Sequence, residues 1–321
     1  MFPYTGIDWC RKSFNSGALL PKGLNNDLKE QVLMDFKEGK DLKNYLFLDG
    51  HLHNLISCGK IINKKRLTIN PQKLRNNIGR LFALGLSAVF TDHGTLEPYK
   101  ILQRNELRGE KILDDSYKIF NYGRYLKITK GEKSIYIICG EELRTKVRGV
   151  STGHILAYGL RHQIKDWMST QETIEAIKAQ KGIIIPAHLF HYGGLKVKYL
   201  KQFYNEFDAV ELTATDILNI TNKRAIKFTQ KHQHIRKINY IFNSDAHLAE
   251  LIGKGFWGFP KDLVEGKTDT QFINNLRTYL RDTSSYIPCS MGRYKLREVT
   301  LHYPRKFMEL LRHYNGRKVK H

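Results

Sequence analysis

The sequence predicts an α/β fold in which parallel strands are joined by crossover helices. Three observations carry this. Short apolar runs rich in β-branched and aromatic residues alternate along the chain with polar, amphipathic stretches, the pattern of βαβ units. The chain has 321 residues, 41% hydrophobic and 11% aromatic, which is enough for a large core, and α/β barrels reach this size undivided. The apolar runs also end, one after another, in histidines and carboxylates, at the end where sheets of parallel strands build their active sites.

The first strand is expected over 45–53, within "YLFLDGHLHNLISCGK". Asp49, His51 and His53 are two apart, so on an extended strand they share a face. Burying three titratable groups side by side is costly unless something binds them, and a metal ion would satisfy all three. A helix over 71–84 leads into "LSAVFTDHG" (86–94), a strand ending in Asp92 and His93. A second helix, over 97–120, precedes "SIYIICGEEL" (134–143), which ends in Glu141 and Glu142. The strand "TGHILAYGL" (152–160) holds His154 and is followed by a helix over 170–180. Next come "GIIIPAHLF" (182–190), ending at His188, and a helix over 196–206. "AVELTA" (209–214) contains Glu211 and precedes a helix over 216–233. "NYIFNSDAH" (239–247) ends in Asp245 and His247, and helices over 269–281 and 304–314 close the series. Residues 1–44 fit no such unit and read as an N-terminal extension or cap. Residues 45–285 form the α/β domain, and 286–321 a basic C-terminal segment that packs on it.

Any one of these histidines or acids alone reads as a satisfied structural group. Seven at equivalent strand ends do not, and His with carboxylate is the ligand set of hydrolytic divalent metals. The remaining composition narrows the class further. The sequence contains no apolar segment of membrane-spanning length, and its N-terminus lacks the layout of a signal peptide. The four cysteines form no CxxC pair, which is expected of a reducing, cytoplasmic protein. There is no motif for a nucleophilic Ser or Cys, a Gly-rich nucleotide loop or a haem site. Charge is the outlier: 53 Lys plus Arg against 31 Asp plus Glu, a formal +22. Such an excess points to a polyanionic partner, most simply nucleic acid. The stretches 59–80 and 222–237 contain no acid, and the tail interleaves Lys and Arg with Tyr, Phe and His, which suits backbone contact and base stacking.

Taken in order, "DGHLH", "AVFTDHG", "CGEEL", "GHILAYGL", "IPAHL" and "NSDAH" resemble the motifs of the PHP (polymerase and histidinol phosphatase) superfamily, over roughly 45–285. That resemblance implies a distorted barrel of seven strands and helices, a cluster of two or three divalent metals (Zn, Mn or Fe), and phosphoester hydrolysis. It further implies that His51, His53 and Asp245 hold one metal, that Glu142 bridges to a second completed by His154 and His188, and that His93 and His247 hold a third. His51, His53, His93, Glu142 and Asp245 are then the catalytic set, and Asp49 and Asp92 orient the imidazoles from outside. The chain departs from the pattern at Cys58 and Gly59, where relatives carry an Asp or His. Either Cys58 ligates as a thiolate, or the site works with two metals, which the hard character of the other ligands favours.

Arg144, Lys146 and Arg148 lie just beyond the third strand, where they are placed to hold further phosphates or a nucleic-acid backbone; a solvated turn is the alternative. Three functions therefore remain open. A nuclease acting on DNA or RNA accounts for the charge. A small-molecule phosphatase of the histidinol-phosphate or nucleotide type needs fewer cations. A catalytically silent nucleic-acid-binding module would keep the metals for stability. No motif points to a protein partner, although a larger complex is compatible with the chain.

Overall fold

The computed structural model describes residues 44–55, 69–191, 193–216 and 219–285, together with the backbone of Cys289–Met291. The elements run β1 (Tyr45–Leu52), α1 (Pro71–Leu84), β2 (Ser87–Phe90), α2 (Glu97–Arg104), β3 (Glu106–Leu107), β4 (Glu110–Lys111), β5 (Tyr117–Asn121), β6 (Tyr125–Lys130), β7 (Lys133–Val147) and β8 (Val150–Tyr158). They continue as α3 (Thr170–Ala179), β9 (Ile183–Pro186), α4 (Val197–Gln202), β10 (Val210–Thr213), α5 (Ile220–Lys231), β11 (Tyr240–Asn243), β12 (Gly255–Pro260), α6 (Asp269–Arg281) and β13 (Cys289–Met291).

Local chemistry sets the helix ends. Asn70 caps α1 by accepting from Gln72 N and Lys73 N, Pro71 opens the helix, and Gly85 closes it in the left-handed conformation. Ser169 with Glu172, and Thr268 with Gln271, form capping boxes on α3 and α6. Each helix then turns one apolar stripe to the sheet: Leu74, Ile78 and Leu81 on α1, and Phe272, Ile273, Leu276 and Leu280 on α6.

The class is α/β, and the main sheet is mixed. It has nine strands in the order β13-β12-β1-β2-β7-β6-β5, with β8 and β9 branching from β7. The fork lies in the 15-residue β7. Its first half pairs with β6 through Lys133–Ile138, and its second half pairs with β8 through Gly140–Val147. Gly140 sits at the fork because a Cβ there would lie 2.7 Å from both Ala157 O and Val89 Cγ1.

Strands β1, β2 and β7 are mutually parallel, as are β10 and β11. The all-parallel expectation fails at β8, which runs antiparallel to both β7 and β9. The cause is local: Val147 pairs with Val150 across the two-residue turn Arg148-Gly149, both at positive φ. Such a turn makes a hairpin, whereas a parallel partner needs a crossover of a dozen or more residues. β12 is also antiparallel to β1, and β13 to β12. The β10–β11 pair stands as its own small sheet. Single contacts tie it in: Asp208 N donates to Ile184 O, and His53 N and Ala246 N bond Ala246 O and His51 O. Among the described residues no continuous ladder closes the ring.

The helix expected over 97–120 stops at Arg104, where Asn105 takes the left-handed conformation; the chain then turns at Arg108-Gly109 and forms β3 to β5. Residues 1–43, Cys58, Gly59 and the helix expected over 304–314 lie outside the described residues. One core runs through all the layers, with Trp257, Tyr158 and Phe272 fully buried. Among the described residues no helix is long and apolar enough to cross a membrane.

Candidate metal centre

Six segments deliver the histidines and carboxylates to one point. β1 supplies His51 and His53, and the turn after β2 supplies His93. Glu142 stands in the middle of β7, because that strand runs on to Val147 past the level where β1 and β2 end. Glu142 N donates to Asp92 O and Gly94 N to Glu142 O, which locks the His93 turn alongside it. His154 lies midway along β8. The reversal of this strand brings its middle level with Arg144, two residues beyond Glu142 on β7. His188 follows β9, and Asp245 and His247 follow β11.

The backbone is shaped to this end. Gly50 separates the Asp from the first His because a Cβ there would lie 2.6 Å from Asn243 Oδ1 and 2.7 Å from Tyr158 Oη. His188 and Asp245 have φ of 27° and 53°, a left-handed conformation that costs on the order of 1–3 kcal/mol at a residue with a Cβ and persists where the surroundings impose it.

Glu142 is the hub. Its Oε1 lies 2.6 Å from His154 Nδ1 and 3.0 Å from His188 Nε2, and its Oε2 lies 3.0 Å from His93 Nδ1. The same Oε2 is 3.3 Å from both His51 Nε2 and His53 Nε2. Asp245 Oδ1 stands 3.6 Å from His51 Nε2 and 3.5 Å from His53 Nε2, with His247 Nδ1 3.6 Å away. The rings are in contact as well, His53 over His247 with centroids 4.1 Å apart. Three overlapping triads thus have the spacing of metal ligands: His51-His53-Glu142, His93-Glu142-His154 and His53-His93-His247.

A divalent cation fits this donor set. His51 Nδ1 is 2.8 Å from Glu211 Oε1, so in the neutral ring the proton sits on Nδ1 and Nε2 presents its lone pair. That lone pair faces His53 Nε2 at 3.0 Å as well as two carboxylate oxygens. His93 Nδ1 is buried, and its 3.0 Å approach to Glu142 Oε2 is poorly aligned for a hydrogen bond. Lone pairs and carboxylates aimed at one another repel until a cation or protons come between them. The same conflict appears in the titration of the cluster. Burial opposes charge on His51, yet Glu211, Glu142 and Asp245 outweigh it and hold its pKa well above the ordinary value. Burial likewise opposes the Glu142 carboxylate, but His93, His154 and His51 keep it ionised well below the usual range.

Glu211 on β10 is the contributor whose role sequence reasoning missed. Its Oε1 accepts from Asn243 Nδ2 at 2.8 Å and meets His51 Nδ1, while Oε2 accepts from His188 N at 2.6 Å. One carboxylate thus fixes a ring on β1 and a backbone turn after β9. Asp49 and Asp92, expected to orient imidazoles, accept from backbone N–H groups and from the side chains of Ser244 and Asn54. Asp49 accepts from Ser244 N and Oγ and from Gly253 N, and more distantly from His51 N. Burial pushes its pKa up to about 6. Asp92 accepts from Asn54 N and Leu55 N and from Asn54 Nδ2, holding the chain just after His53. Arg144 donates to Asp166 through Nε and Nη2, so its charge is matched within the chain. Lys146 and Arg148 are exposed at the end of the β7–β8 hairpin.

Fold and site together define an α/β protein with a buried histidine–carboxylate cluster suited to divalent cations. No family model matches the chain, and no curated protein shows significant sequence similarity to it. Among solved structures, PsfC from Pseudomonas syringae superposes with a TM-score of 0.54 at 16% identity, covering 83% of this chain and 99% of PsfC. The likeness is one of fold. A protein of Bifidobacterium adolescentis assigned as a metal-dependent phosphoesterase aligns with a TM-score of 0.37 at 14% identity, over 62% of this chain and 87% of its own.

Proposed function

We propose that the chain is a metal-dependent phosphoesterase of the PHP type, a distorted barrel in architecture, that hydrolyses phosphodiester bonds of nucleic acid. The observation that carries the reading is the convergence of His53 Nε2, Glu142 Oε2 and Asp245 Oδ1 within 3.6 Å of His51 Nε2. His51, His53 and Asp245 would hold one ion, with Glu142 shared with a second on His154 and His188. His93 and His247 would hold a third. Divalent ions there supply an acidified water and neutralise the charge that develops on phosphate. The chain's own residues position them: Glu211 fixes the His51 tautomer, and the left-handed turns at His188 and Asp245 aim their side chains inward. Zn, Mn and Fe all suit these ligands. Nucleic acid is favoured over a small phosphate ester by the formal charge of +22, and the reading carries with it a cytoplasmic location.

The test is cleavage of end-labelled single- and double-stranded DNA and RNA beside histidinol phosphate and mononucleotides. Each is run after chelation and after return of Mn, Zn, Fe or Mg, with Asp245→Asn as control. Metal-restored cleavage of polymer that the variant lacks supports the nuclease. Phosphate release from the small esters alone makes the protein a phosphatase. No hydrolysis at all, with chelation lowering the melting temperature, leaves a binding module stabilised by metal.

A further inference from the structure

A tryptophan stands on the surface beside the metal centre. Trp167 is 39% exposed and has φ of 65°, an unusual conformation for so bulky a residue, and its neighbours hold it there. Its N–H donates to Arg144 O, and the flanking Met168 O accepts from Lys146 N, so residues 166–168 lie along the outer edge of β7. Asp166 accepts from Arg144 N as well as from its guanidinium. The guanidinium in turn lies 4.9 Å from the Trp167 ring centroid, which supports the indole from below. The loop is also wedged against the metal centre: a Cβ on Gly94, next to His93, would lie 2.7 Å from Asp166 Cγ.

Around the indole is a surface cleft of about 390 Å³, whose lining includes Lys146, Arg148 and Lys165. None of these three cations forms an ion pair with a described carboxylate. The one acid in the lining, Glu172, accepts from Ser169 N in the capping box of α3. An exposed ring in a cleft lined by Lys146, Arg148 and Lys165, of which Lys165 also acts on the Glu172 carboxylate, offers a π-face with cationic partners for phosphate nearby. That is the chemistry which holds single-stranded nucleic acid without regard to sequence. Lys146 lies four residues beyond Glu142 on β7, roughly 13 Å along the strand, which is farther than one small phosphate ester extends and easily spanned by an oligonucleotide.

We propose that this cleft binds a single-stranded nucleic acid a few nucleotides from the scissile bond, with Trp167 stacking on a base and Lys146, Arg148 and Lys165 contacting flanking phosphates. The inference rests on the nuclease reading and adds a binding site to it. The test is the fluorescence anisotropy of a labelled oligothymidylate with hydrolysis-resistant phosphorothioate linkages, titrated with metal-loaded full-length protein. Trp167→Ala is expected to weaken binding about tenfold, and Trp167→Phe to recover most of the loss. Replacing Lys146, Arg148 and Lys165 together by Gln is expected to flatten the salt dependence by about three phosphate contacts. Melting curves for each variant separate lost contacts from lost fold. Unchanged affinity in Trp167→Ala with an unchanged salt slope in the Gln variant overturns the site, as does failure of the unaltered protein to bind the strand. Cleavage of an unmodified strand by the unaltered, metal-loaded protein reports separately on the nuclease reading, which stands if that strand is cut but the variants bind normally.

Discussion

Glu211 holds the histidine cluster together without facing its centre. Removing its charge as Glu211→Gln leaves the volume but weakens its grip on His51 Nδ1 and His188 N. Metal affinity, measured by competition with a chelator, is expected to fall about ten- to a hundredfold with the fold retained. Glu141, buried on β7, makes the opposite case. Burial pushes its pKa up to about 8, and only Oε2 has a partner, Ile164 N. An acid whose folded pKa stands above its unfolded value stabilises the fold while protonated and loses that contribution as pH rises through the folded value. Glu141→Gln cannot ionise, so its melting temperature relative to the parent is expected to climb between pH 6 and pH 9; a flat difference would sink this account. Of these groups, the His51–His53 pair was legible because a strand puts alternate residues on one face. The role of Glu211 was not, since it depends on a partner 160 residues away.

Between elements, what matters is how closely β8 and the loop after β9 approach. Gly153 has φ of 123°, and a Cβ there would come within 2.3 Å of Leu195 Cα and 2.6 Å of Gly194 O. Both obstacles are backbone, so Gly153→Ala must displace the loop from the strand that carries His154. A loss of about 2 kcal/mol or more in denaturant unfolding is expected, with weaker metal binding alongside. The reversal of β8 was visible in principle, since too few residues separate 143 from 152 for a crossover. The alternation of apolar runs dominated that reading, because periodicity reports burial and is silent on direction. The α1 and α6 boundaries were read to the residue, where capping side chains mark both starts. The stretch 105–120 was misread as helix because its turns, at Asn105 and Arg108-Gly109, are spelled by single residues rather than by a cluster.

At the scale of the whole molecule, the cluster draws on β1, β2, β7, β8, β9 and β11, so the ions are expected to act as a staple for the fold. Chelation is expected to lower the melting temperature, and return of metal at a thousand times its Kd to restore about 4 kcal/mol; no shift would argue that the cluster forms without them. Sequence placed these ligands in order along the chain and the single α/β core around them, while the mixed sheet and its fork at Gly140 depend on long-range pairing that no local pattern encodes. One feature of the centre reaches beyond its own chemistry. Glu142 turns one oxygen toward His154 and His188 and the other toward His51, His53 and His93. If two ions bind as proposed, one captured on either side would freeze that carboxylate in the pose the other side requires, so the first to arrive would prepare the second berth. Loading is therefore expected to be cooperative, with an occupancy curve steeper than a simple hyperbola. The protein would then pass between empty and filled over a narrow span of free metal and read the cell's supply of that ion almost as a switch.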